Sequence, residues 1–437
     1  MELTADHLWQ PQGWQRDART ALAGPPASAH LGRWVLPGVA NLHSHAFQRA
    51  MAGLVERRGD PADSFWTWRE LMYALAARVD PDALRAVAAM LYAEMLEAGF
   101  TTVCEFHYLH NDPHGRPYAE PAELSLALVE AARATGIRLR LLPVLYQSGG
   151  FDGRALSARQ ARFGLSVDAY LGLQARLRRE CGDGVALGTA FHSLRAVPES
   201  AMQEVLAGLP AEQLLHVHIS EQLAEVAECI AVCGARPVAW LLERFAVDAR
   251  WCLVHATHLD DAEVQALAAS GATVALCPTT EANLGDGLFP WPAYRDAGGC
   301  WGVGSDSHVS VSLVEELRWL EYGQRLFARR RNIAASVAQP SCGETLFAAA
   351  LAGGRRGAGL AADDDAGDFI VLDDAAVELA ARPPDRLLDS FVFAGNRQLV
   401  RDVFVGGRRQ VAGGRHLQRD AIERDYRRAL AQLLDGA

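Results

Sequence analysis

Short apolar runs of strand length alternate along this chain with longer stretches in which Ala, Leu, Glu and Arg place apolar side chains on one helical face. Eight such runs recur: Val39–His43, Thr101–Phe106, Leu139–Leu145, Val185–Phe191, Leu214–Ile219, Cys252–His255, Ala272–Cys277 and Trp301–Ser305. They are nearly continuous in apolar residues, as strands covered on both faces are. Strand then helix, eight times over, predicts an α/β fold of the (β/α)8 TIM-like barrel type across residues 37–363. A doubly wound open sheet is the runner-up. No Gly-x-Gly-x-x-Gly follows the first run, however, so that version lacks its phosphate loop.

The flanks follow a different pattern. The first thirty-odd residues are polar and turn-rich, and do not make a domain alone. Asp368–Asp373 and Val400–Val411 show apolar runs or alternation punctuated by glycine. Together they predict a small β-sandwich domain built from both termini, residues 1–36 and 364–437, with a C-terminal helix over Leu417–Leu434.

Half of the 437 residues are hydrophobic and 22% are charged, enough for a large buried core. No 18-residue apolar run is present, so no membrane association is expected. Asp, Gln, Arg and Pro interrupt the first thirty residues where a secretion signal would be apolar, which predicts a cytoplasmic location. A formal charge of −11 argues against nucleic acid as a partner. The eight cysteines lack a knuckle spacing; Cys229 and Cys233, four apart in a helical segment, read as buried thiols. All 42 basic residues are arginine.

Barrel chemistry sits at the C-terminal ends of the strands. Those ends carry His43 and His45 after the first run, Glu105, His107 and Tyr108 after the second, and His192 and Arg195 after the fourth. The fifth ends in His216-Val217-His218-Ile219-Ser220-Glu221, the sixth in His255 and His258, and the eighth in Asp306 and His308. Alternate strand residues point the same way, so His43 and His45 can address one point, and either or both of His216 and His218 can face inward. So many ionisable groups at otherwise apolar strand ends need partners, and a metal site supplies them.

This pattern of His-x-His on the first strand, His on the fifth and sixth and Asp on the eighth resembles the amidohydrolase superfamily over essentially the whole chain. Members with two ions usually bridge them with a carboxylated lysine, and this chain has no lysine, so the resemblance implies one zinc ion per chain. It implies His43, His45, His218 and Asp306 as ligands; the family's His-x-x-Glu pattern selects His218 over His216. It further implies that Asp306 takes the water proton, Glu221 passes a proton to the leaving nitrogen, and His255 steadies the attacking oxygen. The reaction implied is hydrolytic loss of ammonia from a C=N centre.

Five segments are most similar to the branch of that superfamily that deiminates a formimino dicarboxylate in histidine breakdown. They are His45–Gly53, Ser64–Glu70, Glu105–Tyr108, Phe191–Arg195 and Cys277–Gly287. By that likeness Gln48, Arg69, Tyr108, His192 and Arg195 line the substrate pocket. A small-molecule dicarboxylate suits two guanidinium forks, and Trp66 and Trp68 around Arg69 suggest a packed, lid-like segment. The alternative is a zinc deaminase of a heterocyclic base or nucleoside, a guanine, cytosine or adenosine derivative. A catalytically silent scaffold barrel would be expected to have lost ligands that this chain keeps. The resemblance also implies a homodimer.

Overall fold

The computed structural model describes residues 2–21, 28–56, 65–182, 184–361 and 363–435. Eight parallel strands form the barrel in chain order: Val39–Ser44, Phe100–His107, Arg138–Leu145, Thr189–Ser193, Leu215–Ile219, Trp251–His255, Thr273–Leu276 and Cys300–Val303. Helices between them cover the outside, so that every residue of the first, second, fifth, sixth and seventh strands is buried. This burial is why those strands read as unbroken apolar runs.

The fourth run differs in detail from the expectation. It is two strands: Val185–Leu187 pairs with the third barrel strand, and Thr189–Ser193 continues to the fifth. The break falls at Gly188, where a Cβ would meet Leu142 Cδ2 at 2.4 Å, so a larger residue would have to displace that side chain.

The barrel closes along a narrow seam between its first and eighth strands. Asp306 N–H donates to His43 O at 3.0 Å, and His45 N–H donates to Asp306 O at 3.3 Å. Helix Cys342–Gly357 lies over this seam in close backbone contact, because a Cβ at Gly353 would stand only 1.7 Å from Trp301 O. In the closed barrel these two bonds set the spacing of the three strand-end residues at the seam.

Both chain ends share one continuous eight-stranded sheet. The hairpin Glu2–Gln10 and Gly13–Ala21, whose first strand also pairs with Ser28–His30, joins Trp34–Pro37, which runs beside Phe369–Leu372 and then Val400–Val405, Arg408–Ala412 and Arg415–His416. Strand alternation divides its side chains: Leu3, Ala5, Val35, Phe369 and Val371 pack together, while Trp34, Leu36, Ile370 and Leu372 join the barrel core. Residues 2–21 thus form a packed hairpin despite their polar, turn-rich composition, because Leu3, Ala5, Leu8 and Trp9 are buried in it. Helix Arg419–Leu434 packs on helix Pro81–Glu97, with Arg419 donating to Glu97 at 2.9 Å. Among the described residues no helix is long and apolar enough to cross a membrane.

Candidate metal and active site

Three imidazoles and one carboxylate converge at the C-terminal mouth of the barrel. His43 Nε2 lies 3.0 Å from His45 Nε2 and 2.9 Å from His218 Nε2, while Asp306 Oδ1 is 3.5 Å from both His43 and His45 Nε2. The outer nitrogens define the protonation: His45 Nδ1 faces Phe106 O at 2.8 Å, and His218 Nδ1 faces His192 O at 2.9 Å. A carbonyl can only accept, so each Nδ1 carries the proton and each Nε2 turns a lone pair inward. His43 Nε2 has at most one proton to offer and cannot serve both neighbours.

Extra protons do not resolve this crowding. Burial, reinforced by the neighbouring imidazoles, holds His43 and His218 well below the usual histidine range and brings His45 down to about 3. Burial also lifts Asp306 to about 7, against the pull of His255. A cation removes both costs at once. The separations of 2.9–3.5 Å that His43 makes with its three neighbours bracket the edge of about 3.3 Å expected for a tetrahedron with bonds of about 2.0 Å. The residues present therefore fit a divalent ion, and imidazole with carboxylate suits zinc.

The first-strand turn that presents His43 and His45 is tightly held. Glu105 accepts from Ser44 Oγ and from Ala46 N–H, each at 2.6 Å, and His308 Nε2 accepts from His45 N–H at 3.2 Å. His216 lies deeper in the barrel, donating through Nε2 to Gly357 O at 2.9 Å.

Beside the donor cluster, His255 Nε2 stands 3.8 Å from both Glu221 Oε1 and Asp306 Oδ2. Ser220, His255 and Asp306, at the ends of the fifth, sixth and eighth strands, all adopt left-handed φ of 52°, 68° and 47°. Non-glycine residues persist there only where surroundings hold them, and such outliers concentrate at functional sites. Here Ser220 and Glu221 N–H both donate to the Glu225 carboxylate, at 3.1 and 3.0 Å, fixing the turn that aims Glu221. Burial disfavours charge on His255, yet Glu221, Glu281 and Asp306 together raise it to about 10.

The five expected substrate residues meet these groups in one cleft. Gln48, in the turn after the first strand, donates to Tyr108 OH at 2.9 Å. Tyr108 in turn lies edge-on to His45, with ring centres 5.0 Å apart. His192 comes from the fourth strand, and Arg195 follows it. Arg69 projects from helix Phe65–Ala76 over the Tyr73 ring at 5.6 Å. Trp68 also lines the cleft, whereas Ser64 lies outside the described residues.

Sequence reading missed several groups. The cleft is also lined by Met72, Tyr73, Tyr146, Phe163 and Leu284, and Glu281 stands behind His255. Tyr146 directly follows the third strand and Glu281 comes four residues past Cys277 at the seventh. Those were the two strand ends from which no candidate was taken, so the rule that found the others would have reached them. Burial and the Glu221 carboxylate push Asp286, on the same seventh-strand loop, up to about 9.

The profile of the amidohydrolase family matches residues 34–409. A formimidoylglutamate deiminase from Pseudomonas aeruginosa is 51% identical over 99% of either chain. A crystal structure of an amidohydrolase from Brucella melitensis superposes with a TM-score of 0.94 at 44% identity, covering 99% of each chain. An adenosine deaminase from Xanthomonas campestris, solved with bound zinc, shares the fold at 20% identity, with a TM-score of 0.79 over 99% of this chain and 98% of its own.

Proposed function

The chain belongs to the amidohydrolase family, and on that premise we propose that it hydrolyses N-formimino-L-glutamate to N-formyl-L-glutamate and ammonia, a step of histidine degradation, with one zinc ion per chain. The observation that carries this reading is the cleft itself: a donor cluster for one ion, next to Glu221 and His255, in a pocket that also contains two arginines. Full-length identity of 51% to a formimidoylglutamate deiminase supports the substrate.

His43, His45, His218 and Asp306 would hold the ion, whose Lewis acidity lets a water ionise near pH 7. Asp306 then accepts the proton of the attacking water. His255 Nε2, midway between Asp306 and Glu221, orients the attacking oxygen and stabilises charge on it as the tetrahedral carbon forms. Glu221 faces the nitrogen that leaves and delivers a proton to it. The protonated formimino group and one water become the formyl amide and ammonium, so no proton is drawn from elsewhere.

Arg69 and Arg195 pair with the two carboxylates, while Gln48, Tyr108 and His192 orient the backbone of the substrate. Two guanidinium groups match two carboxylates in charge as well as in fork geometry, whereas a purine or pyrimidine ring offers only neutral acceptors, which favours the dicarboxylate over the heterocyclic alternative. The same reading includes a cytoplasmic homodimer. Trp319, Tyr322, Leu326 and Phe327 form an exposed apolar stripe on helix Leu313–Ala328 suited to a second copy.

The test supplies N-formimino-L-glutamate to the purified protein and measures ammonia and the formyl product, before and after chelation. We expect turnover that falls at least a hundredfold on metal removal and returns with zinc. Equal rates without metal would overturn the mechanism. Turnover of guanine, cytosine or adenosine derivatives in place of the dicarboxylate would overturn the substrate.

A further inference from the structure

Glu281 sits where the deimination reaction needs a support that no residue assigned above provides. It lies on the short helix Pro278–Leu284 beyond the seventh strand, 5% exposed, with Oε1 3.3 Å from His255 Nδ1. The same oxygen accepts Cys277 N–H at 2.9 Å, which fixes the carboxylate before any substrate arrives.

His255 has two nitrogens and two tasks for them. Nε2 faces the cleft between Glu221 and Asp306, and Nδ1 faces Glu281. A carboxylate that already accepts a backbone N–H also accepts Nδ1–H, which places a proton on that nitrogen and fixes the plane of the ring. Without it, the imidazole can turn or carry its proton on the wrong nitrogen. We propose that Glu281 is the positioning residue of the reaction, holding His255 with Nδ1 protonated and Nε2 aimed at the attacking oxygen. This rests on the function proposed above, and the Glu281–His255 contact can be read without it.

A purely architectural role for Glu281 makes a different prediction, because its helix is anchored by other groups. Glu316 accepts from Thr279 N–H at 3.0 Å and from Thr279 Oγ at 2.6 Å, and Thr280 Oγ meets Ser307 Oγ at 3.1 Å. Loss of Glu281 should therefore leave the helix in place. Loss of the Glu316 carboxylate should loosen it.

The experiment compares zinc-loaded Glu281→Leu, Glu281→Gln and Glu316→Gln with the parent. Glu281→Leu should lower kcat about 10²-fold with KM within about threefold and metal content unchanged. Glu281→Gln keeps an oxygen for Cys277 N–H and Nδ1–H, and should restore most of that loss. Glu316→Gln should lower the melting temperature and leave kcat within about threefold. In parallel, histidine is labelled with 15N and the His255 signal is identified by its absence in His255→Gln. The parent should show a protonated Nδ1, and Glu281→Leu should lose that state. Should Glu281→Leu fail to fold, Glu281→Met takes its place in both measurements. An unprotonated Nδ1 in the parent, an unchanged spectrum in the apolar Glu281 variant, or kcat loss matched by a rise in KM or loss of metal, would each overturn the proposal. A parent that releases no ammonia would instead overturn the proposed function, while the spectrum would still report on Glu281.

Discussion

Glu221→Gln turns over N-formimino-L-glutamate about 10³-fold more slowly than the parent, with KM and bound metal little changed. The expectation follows from what glutamine preserves. The side chain keeps its length, and the turn that aims it is held through the backbone N–H groups of Ser220 and Glu221 on Glu225, which the substitution does not touch. Glu221 is not among the four groups that would hold the ion. Only the capacity to carry a proton to the leaving nitrogen disappears, and general acid–base groups of this kind contribute about 10²–10⁴-fold. Steady-state kinetics with a metal assay checks it. A variant within tenfold of the parent would show that another group protonates the nitrogen, and Asp286, its carboxyl pushed up to about 9 by burial and by Glu221, would become the first to examine.

Arg195→Met is expected to lower kcat/KM for the dicarboxylate by about 10²–10³-fold, the range for removing one partner of a desolvated charge pair. Methionine keeps much of the stem volume and removes the fork. The diagnostic measurement uses two truncated substrates, N-formimino-4-aminobutyrate, without the α-carboxylate, and N-formimino-2-aminobutyrate, without the distal one. The penalty should shrink to about threefold on whichever lacks the carboxylate that Arg195 holds. A full penalty on both would mean that this arginine reads no carboxylate and serves the pocket in some other way.

Much of this site could be read in the sequence because the barrel places chemistry where strands end. His43, His45, His218 and Asp306 stand at such ends; the donor atoms of the three histidines lie together, and Asp306 Oδ1 is 3.5 Å from two of them. What escaped were contacts between segments distant in sequence. Arg162 looks like a surface residue in its Ala-Arg-Phe context, yet it is 2% exposed and donates to Val79 O at 3.0 Å and Asn111 O at 3.2 Å. Its partners are backbone carbonyls, which leave no compositional trace. Tyr73 was similarly hidden, since a helical tyrosine says nothing of the arginine that lies over its ring. The N-terminal hairpin was obscured for another reason: Leu3 and Ala5 begin an apolar alternation that His7 interrupts, and Leu8, three residues past Ala5, is out of phase with it.

The thin closure of the barrel governs how the molecule should fail. Five successive residue pairs join the fifth and sixth strands, whereas the first and last are joined through one bridge at Ser44 and Asp306. Thermal fluctuations open the weakest ladder first. Breathing at that place carries Asp306 away from His43 and His45 in a single movement, so warming should silence the protein while most of its helices and strands survive. An ion spanning the gap would act as a rivet, bringing the temperature of inactivation up toward that of melting.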